Sequence, residues 1–179
     1  MKVLKKIFIA LASIIAILLI IALFLKKEFS VKKEISINKP VSEVFAYIKF
    51  IRNQDHFSKW NQLDPAMKKS YKGTDGTVGF VYTWESKNDQ VGAGEQEIAK
   101  ILENERIDMI LRFKEPFEIQ NSAYMTTESL QGNSTKVSWG FEGKMPYPMN
   151  LFGLFVNMEK EIGNDLETGL TNLKRELEK

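Results

Sequence analysis

The sequence predicts an α+β domain, a curved antiparallel β-sheet gripping one long C-terminal helix, preceded by a single transmembrane helix. Three observations predict it. Residues Ile7 to Leu25 are apolar apart from Ser13. Between residues 29 and 142, apolar side chains recur mostly at every second position, the period of a strand with one buried face. From Met158 to Leu177 they recur every three or four positions, the period of an amphipathic helix.

The apolar run is fenced by Lys2, Lys5 and Lys6 before it and Lys26 and Lys27 after it. Nineteen residues at the helical rise reach roughly 28 Å, close to the ~30 Å hydrocarbon thickness of a bilayer. A cleaved signal peptide has an apolar stretch of only ~7–15 residues and a small-x-small exit. Here the exit reads Ala22-Leu23-Phe24-Leu25, with bulky residues where small ones are needed. An uncleaved anchor is therefore expected, with residues 1–28 as the anchor and 29–179 as the folded domain. Orientation is a near tie, because Lys26, Lys27, Lys32 and Lys33 balance the N-terminal lysines and amine. A short basic N-terminus ahead of an apolar run stays cytoplasmic as a rule, which places the domain on the extracytoplasmic side of a single-pass membrane protein.

Five of the 25 basic residues lie in the first 27, so the remaining 152 residues carry 20 basic and 23 acidic side chains. That balance argues against nucleic acid as a partner, since a binder needs a basic face to displace phosphate counterions. The absence of cysteine excludes disulfides, thiolate catalysis and cysteine zinc sites.

Phe29, Val31, Lys33, Ile35 and Ile37 share one strand face, and Asn38-Lys39-Pro40 breaks the strand. Pro40 suits a helix start. Val41, Val44, Phe45 and Ile48 follow at helical spacing, with Glu43 in the first turn where the dipole favours an anion. A second short helix is expected over 53–60, ended by Asp64-Pro65. Strands follow at 67–72, 78–86, 95–102, 106–113, 122–130 and 135–142, joined by turns rich in Gly, Asn and Asp. Phe80, Tyr82 and Trp84 share a face, as do Ile107, Met109, Leu111 and Phe113. Met145-Pro146-Tyr147-Pro148 leads into the last helix, whose stripe is Met158, Ile162, Leu166, Leu170, Leu173 and Leu177. A sheet curved around one helix cannot close at both ends, which leaves room for an apolar cavity.

The segment from Ile35 to Ile48, with its strand, Asn38-Lys39-Pro40 turn and Val44-Phe45 helix, resembles the opening of the START-like, or SRPBCC, superfamily. The aromatic stretch His56-Phe57-Ser58-Lys59-Trp60, the turn Gly92-Ala93-Gly94-Glu95 and the amphipathic last helix are similar too. The resemblance covers about residues 29 to 178 and points to the polyketide cyclase/dehydrase-like members. It implies a helix-grip fold with a cavity for lipids, sterols, polyketides or hormones; a few members act as cyclases or dehydratases.

His56 is the only histidine, so no histidine pair exists for a triad or a two-histidine metal site. Gly92-x-Gly94 lacks the third glycine of a dinucleotide fingerprint and precedes a strand. No cofactor, metal or assigned catalytic residue is expected. The Glu95/Glu97 and Glu103/Glu105 pairs read as solvated faces and hairpin ends.

Tyr82, Trp84, Met109, Phe113, Tyr124 and Trp139 occupy alternating positions on neighbouring strands and are candidates to line the cavity, with Phe155 from the apolar connection after Met145. Core packing accounts for each ring singly; so many rings with polar tips suit an amphipathic ligand. Glu128 shares a face with Tyr124, Thr126 and Leu130. If inward, it is paired, with Arg106 or Arg112 as candidates, or has a raised pKa; if outward, it is solvated. The apolar connection either gates the cavity, rests on the membrane interface, or forms a short helix packed on the sheet. Three functions stay open: binding of a hydrophobic small molecule or lipid, proton-transfer catalysis by Glu128 or His56, and a ligand-free interaction or stress-response module. The last is favoured if no pocket of ~300 Å³ exists.

Overall fold

The computed structural model describes residues 2–115 and 118–179. Helix α1 runs Lys2–Phe24, starting earlier than the apolar run because the lysines continue the helix. Its large apolar side chains are exposed except for the half-buried Leu19, and Ser13 returns its Oγ–H to the Ile9 carbonyl at 2.9 Å, so its one polar side chain within the run is satisfied internally. By length and composition α1 can cross a membrane.

Strand β1, Glu28–Ile37, buries alternate residues as its period predicts. Pro40 caps α2, Val41–Ile48, which buries Val44, Phe45 and Ile48. The predicted second helix is instead a 3-10 turn at Ile51–Asn53 followed by two short helices, α3 at Gln54–Phe57 and α4 at Lys59–Leu63. Ser58 between them is extended (φ −65°, ψ 127°), which breaks the helix and re-aims the chain.

The remaining strands are β2 (Lys68–Lys72), β3 (Val81–Glu85), β4 (Ala93–Leu102), β5 (Arg106–Glu115), β6 (Ile119–Leu130) and β7 (Ser134–Lys144). They form one antiparallel sheet in the order β1-β7-β6-β5-β4-β3-β2. β3 is shorter than predicted, since Gly79 at φ +84° departs from strand geometry; Ile98 still donates its amide to the Phe80 carbonyl at 3.0 Å. Register shifts in β4 at Ala93/Gly94 and Ile98/Lys100 bend the sheet toward its concave side.

The last helix, α5, spans Met158–Leu177; the Asn157 side chain accepts from the Lys160 amide at its start. It lies on the concave face along β1 and β7, with α3 and α4 beside it. Leu166, Leu170 and Leu173 are fully buried, as the stripe predicts. A β-carbon at Gly169 would stand 2.7 Å from the Trp139 ring, so only glycine lets this helix approach β7 so closely. The result is the α+β helix-grip architecture expected from the sequence.

Candidate functional site: a cavity between the sheet and the last helix

Tight packing does not extend evenly under α5. Where Ile37, Ile98, Ile107, Met125 and Val137 meet α2 and the end of α5, every side chain is essentially inaccessible. Toward the start of α5 the sheet curls away and leaves a cavity of about 180 Å³. Its apolar wall includes Trp84, Met109, Leu111, Phe113, Phe141 and Ile162. Ala123 sits in the middle of the inner face, opposite Met109 on β5 and Phe141 on β7, and its small side chain helps to create the space. All three tryptophans of the chain, Trp60, Trp84 and Trp139, reach the cavity.

The cavity also has a polar side. Gln54, Ser58, Asn61 and Gln96 are buried, and each lines it. Gln96 Nε2 lies 2.8 Å and Gln54 Nε2 4.0 Å from the same acceptor, the Met109 thioether. A thioether is a weak acceptor, so a ligand oxygen there would take over these donors readily. Asn61 donates to Asp55 Oδ1 at 2.7 Å, and Lys69 pairs with the same oxygen at 2.8 Å, which fixes the amide. Tyr82 stacks between Tyr71 and Trp84 at ring distances of 5.6 and 5.7 Å.

Burial is the main cause that holds the Tyr82 hydroxyl protonated well above the usual phenol range; Asp55 and Tyr71 reinforce it, and Asn61 opposes it. A pKa raised on folding contributes stability that is full below the unfolded value near ~10 and is lost as pH rises toward the folded value. A difference titration of phenolate absorbance, wild type minus Tyr82→Phe, is therefore expected to show no Tyr82 ionisation at pH ~10.5. Ionisation at the pH of a free phenol would show that this hydroxyl is not buried.

Five of the eight predicted lining residues meet here: Tyr82, Trp84, Met109, Phe113 and Trp139. Three do not. Tyr124 and Glu128 lie on the outer face, because β6 turns Ala123, Met125 and Thr127 inward. Tyr124 lies flat against Gly140, where a β-carbon would come within 2.1 Å of its ring, and the Arg106 guanidinium covers it at 4.1 Å. Glu128 pairs with Lys136 in solvent; Arg112 instead bridges Glu95 and Glu97, and Arg106 holds Asp108. Phe155 is 81% exposed, beyond a 3-10 helix at Met149–Leu154, and does not touch the cavity. His56, the other proposed proton carrier, shares a hydrogen bond with the Tyr47 hydroxyl at 2.9 Å outside the cavity. The four buried polar residues are new. Gln96 was accessible to the same period-two reasoning, since it alternates with Gly94 and Ile98.

The strand register locates the opening. Glu28, the first residue of β1, pairs with Lys144; Ser122 pairs with Glu142, Phe113 with Ile119, Gly94 with Phe113 and Trp84 with Gly94. These residues form one end of the sheet. The half-buried rim of the cavity, with Val91, Phe113 and Ile162, belongs to that same end, and so does the C-terminus of α1. Lys26 reaches Glu159 at the start of α5 at 3.3 Å.

A family model described as polyketide cyclase / dehydrase and lipid transport matches residues 28–178. The chain belongs to this family. Its membership bears out the START-like resemblance carried by the Asn38-Lys39-Pro40 turn and the Val44-Phe45 helix. No curated protein matches the chain. Solved structures with the same fold include the Aha1 dimer from Colwellia psychrerythraea, 12% identical, with a TM-score of 0.58 over 84% of this chain and 96% of that one. Protein MLL2253 from Mesorhizobium loti is 13% identical, with a TM-score of 0.59 over 84% and 97%. Protein CV1439 from Chromobacterium violaceum gives 13%, 0.59, 84% and 97%. At such identities the likeness is one of fold, and function rests on the cavity.

Proposed function

We propose that this family member is a membrane-tethered binding protein for an apolar small molecule or lipid carrying one or two oxygens. On this reading residues 1–28 are the single-pass anchor, residues 29–179 are the binding domain, and the domain stands on the extracytoplasmic side. The observation that carries the reading is the cavity itself, with an apolar wall and two buried glutamine amides whose one acceptor among the described residues is a thioether.

Its size limits the ligand. At about 180 Å³ it is smaller than the ~300–1,000 Å³ of pockets for drug-sized molecules. An engineered apolar cavity of ~150 Å³ holds benzene. A single ring system or a short acyl segment therefore fits, and a longer ligand would extend through the open rim. A ring bearing a carbonyl or hydroxyl satisfies both sides: its edge takes the Gln54 and Gln96 donors and its face meets Trp84 and Phe113.

The size also favours a second reading, a ligand-free interaction module whose hollow is incidental. Native mass spectrometry of the detergent-extracted full-length protein separates the two. A co-purifying molecule released on unfolding is the expected result. A bare mass, together with no saturable quenching of the three cavity tryptophans by a brominated naphthalene, would leave only the module.

A further inference from the structure

Outside α1, ten large apolar side chains are exposed among the described residues, and five of them fall between Tyr147 and Val156. Phe152 is 56% exposed, Leu154 49% and Phe155 81%. A loop at a free surface has no need of such a run, and domains of this size rarely leave one uncovered.

The run is held at a defined height. Asn150, 1% exposed, donates through Nδ2 to the carbonyls of Ala22 at 2.6 Å and Leu25 at 3.3 Å, the last turn of α1. These carbonyls lack helical partners, and the amide satisfies them. Ala22 is itself fully buried by the contact, alone among the α1 residues. At ~1.5 Å per residue, Ala22 lies about 4–5 Å below the Leu25 end of the apolar run. Interfacial helices sink their apolar face ~5–10 Å into the boundary between headgroups and acyl chains. The Asn150 clamp thus lies at the shallow edge of that range, and Lys26 and Lys27 stand just above it, where lysines reach the headgroups.

We infer that residues 149–156, the 3-10 helix and the two residues after it, form a second membrane element lying in the bilayer interface and clamped to the end of the span by Asn150. Phe152, Leu154 and Phe155 enter the acyl boundary. Because this segment, the end of α1 and the cavity rim share one end of the sheet, the clamp holds the opening toward the lipid surface instead of letting the domain swing on its tether. The inference rests on α1 spanning the membrane, but it requires no ligand.

The chain has no native cysteine, so single cysteines can each carry an environment-sensitive fluorophore. Leu18→Cys reports the span, Phe152→Cys and Phe155→Cys the segment, and Gln131→Cys the turn at the opposite end of the sheet. The full-length protein is reconstituted in phosphatidylcholine vesicles containing lipids with a doxyl quencher near the acyl carbonyl. Labels at 152 and 155 are expected to be quenched at least about threefold more than the label at 131, as befits groups ~5–10 Å into the boundary. Asn150→Ala is expected to reduce quenching at 155 while leaving quenching at 18 by chain-end doxyl lipids unchanged. Strong quenching at 18 with none at 152 and 155 would overturn the inference and leave the anchor standing. No quenching at 18 would overturn the anchor and the inference together. Shielding of 155 by a protein partner, seen as a blue-shifted label insensitive to doxyl lipid, would equally overturn it.

Discussion

Ala123→Phe is expected to abolish uptake of an apolar ligand while leaving the domain folded. Ala123 is 5% exposed on the inner face of β6, between Met109 and Phe141, and faces the cavity. A benzyl group there points into the empty space and occupies the volume a ligand ring would need. Overpacking a filled core costs about 1–3 kcal/mol; where a hollow receives the ring, the lower end applies. At ~2–4 °C per kcal/mol for a domain of this size, the melting temperature should fall by no more than a few degrees. Saturable quenching of Trp60, Trp84 and Trp139 by a brominated naphthalene reads occupancy directly, and at least a ~10-fold weaker response is expected, equivalent to ~1.4 kcal/mol. Glu128→Gln, on the outer face, serves as the control with unchanged response. Equal uptake by wild type and Ala123→Phe would show that the cavity is not the binding site.

The largest loss of stability is expected from Phe57→Ala. Phe57 is fully buried at the junction of α3, α5 and β7. Its ring meets Trp139 edge-on at 5.6 Å and Tyr47 at 6.5 Å, and its carbonyl accepts from Asn172 of α5 at 3.2 Å. Truncating a buried phenylalanine costs about 3–5 kcal/mol, from lost transfer energy and the void left behind. The truncation also removes one of the two rings that meet Trp139 edge-on, leaving Trp60 at 6.2 Å. Urea unfolding of the full-length protein, followed by tryptophan fluorescence, should show the midpoint fall with little change in slope. A loss below ~1 kcal/mol would mean that α3 is not a structural part of the grip.

The parts of the fold that were legible in the sequence are those set by local geometry. Period two marked β1, β3 and β5, and period 3.6 marked α2 and α5, because one face of each element is apolar. Glu95 and Glu97 read correctly as a solvated face; they share Arg112 there. In β6 the period was clear but its phase was not. Its inner face carries Ala123, Met125 and Thr127 and its outer face Tyr124, Thr126 and Glu128, so each face mixes apolar and polar side chains and the large ring lies on the outer one. Only the pairing of Ala123 with Phe141 and Met125 with Trp139 decides which set turns inward. Gln54 and Asn61 escaped notice because a polar residue on a short helix looks solvated until a sheet closes over it. Phe155 was misplaced because a 3-10 segment has no long amphipathic period to orient it.

Composition and periodicity thus determined the order of elements, the apolar N-terminal helix and the stripe on α5, since each depends on neighbours within a few residues. Tertiary structure alone decided where the hollow lies, how small it is and which end of the sheet it opens toward. A cavity is the volume left when side chains distant in sequence meet. Its position depends on the register of β5, β6 and β7, on the bends in β4 and on the close approach that Gly169 permits, and none of these is encoded in any single stretch of chain.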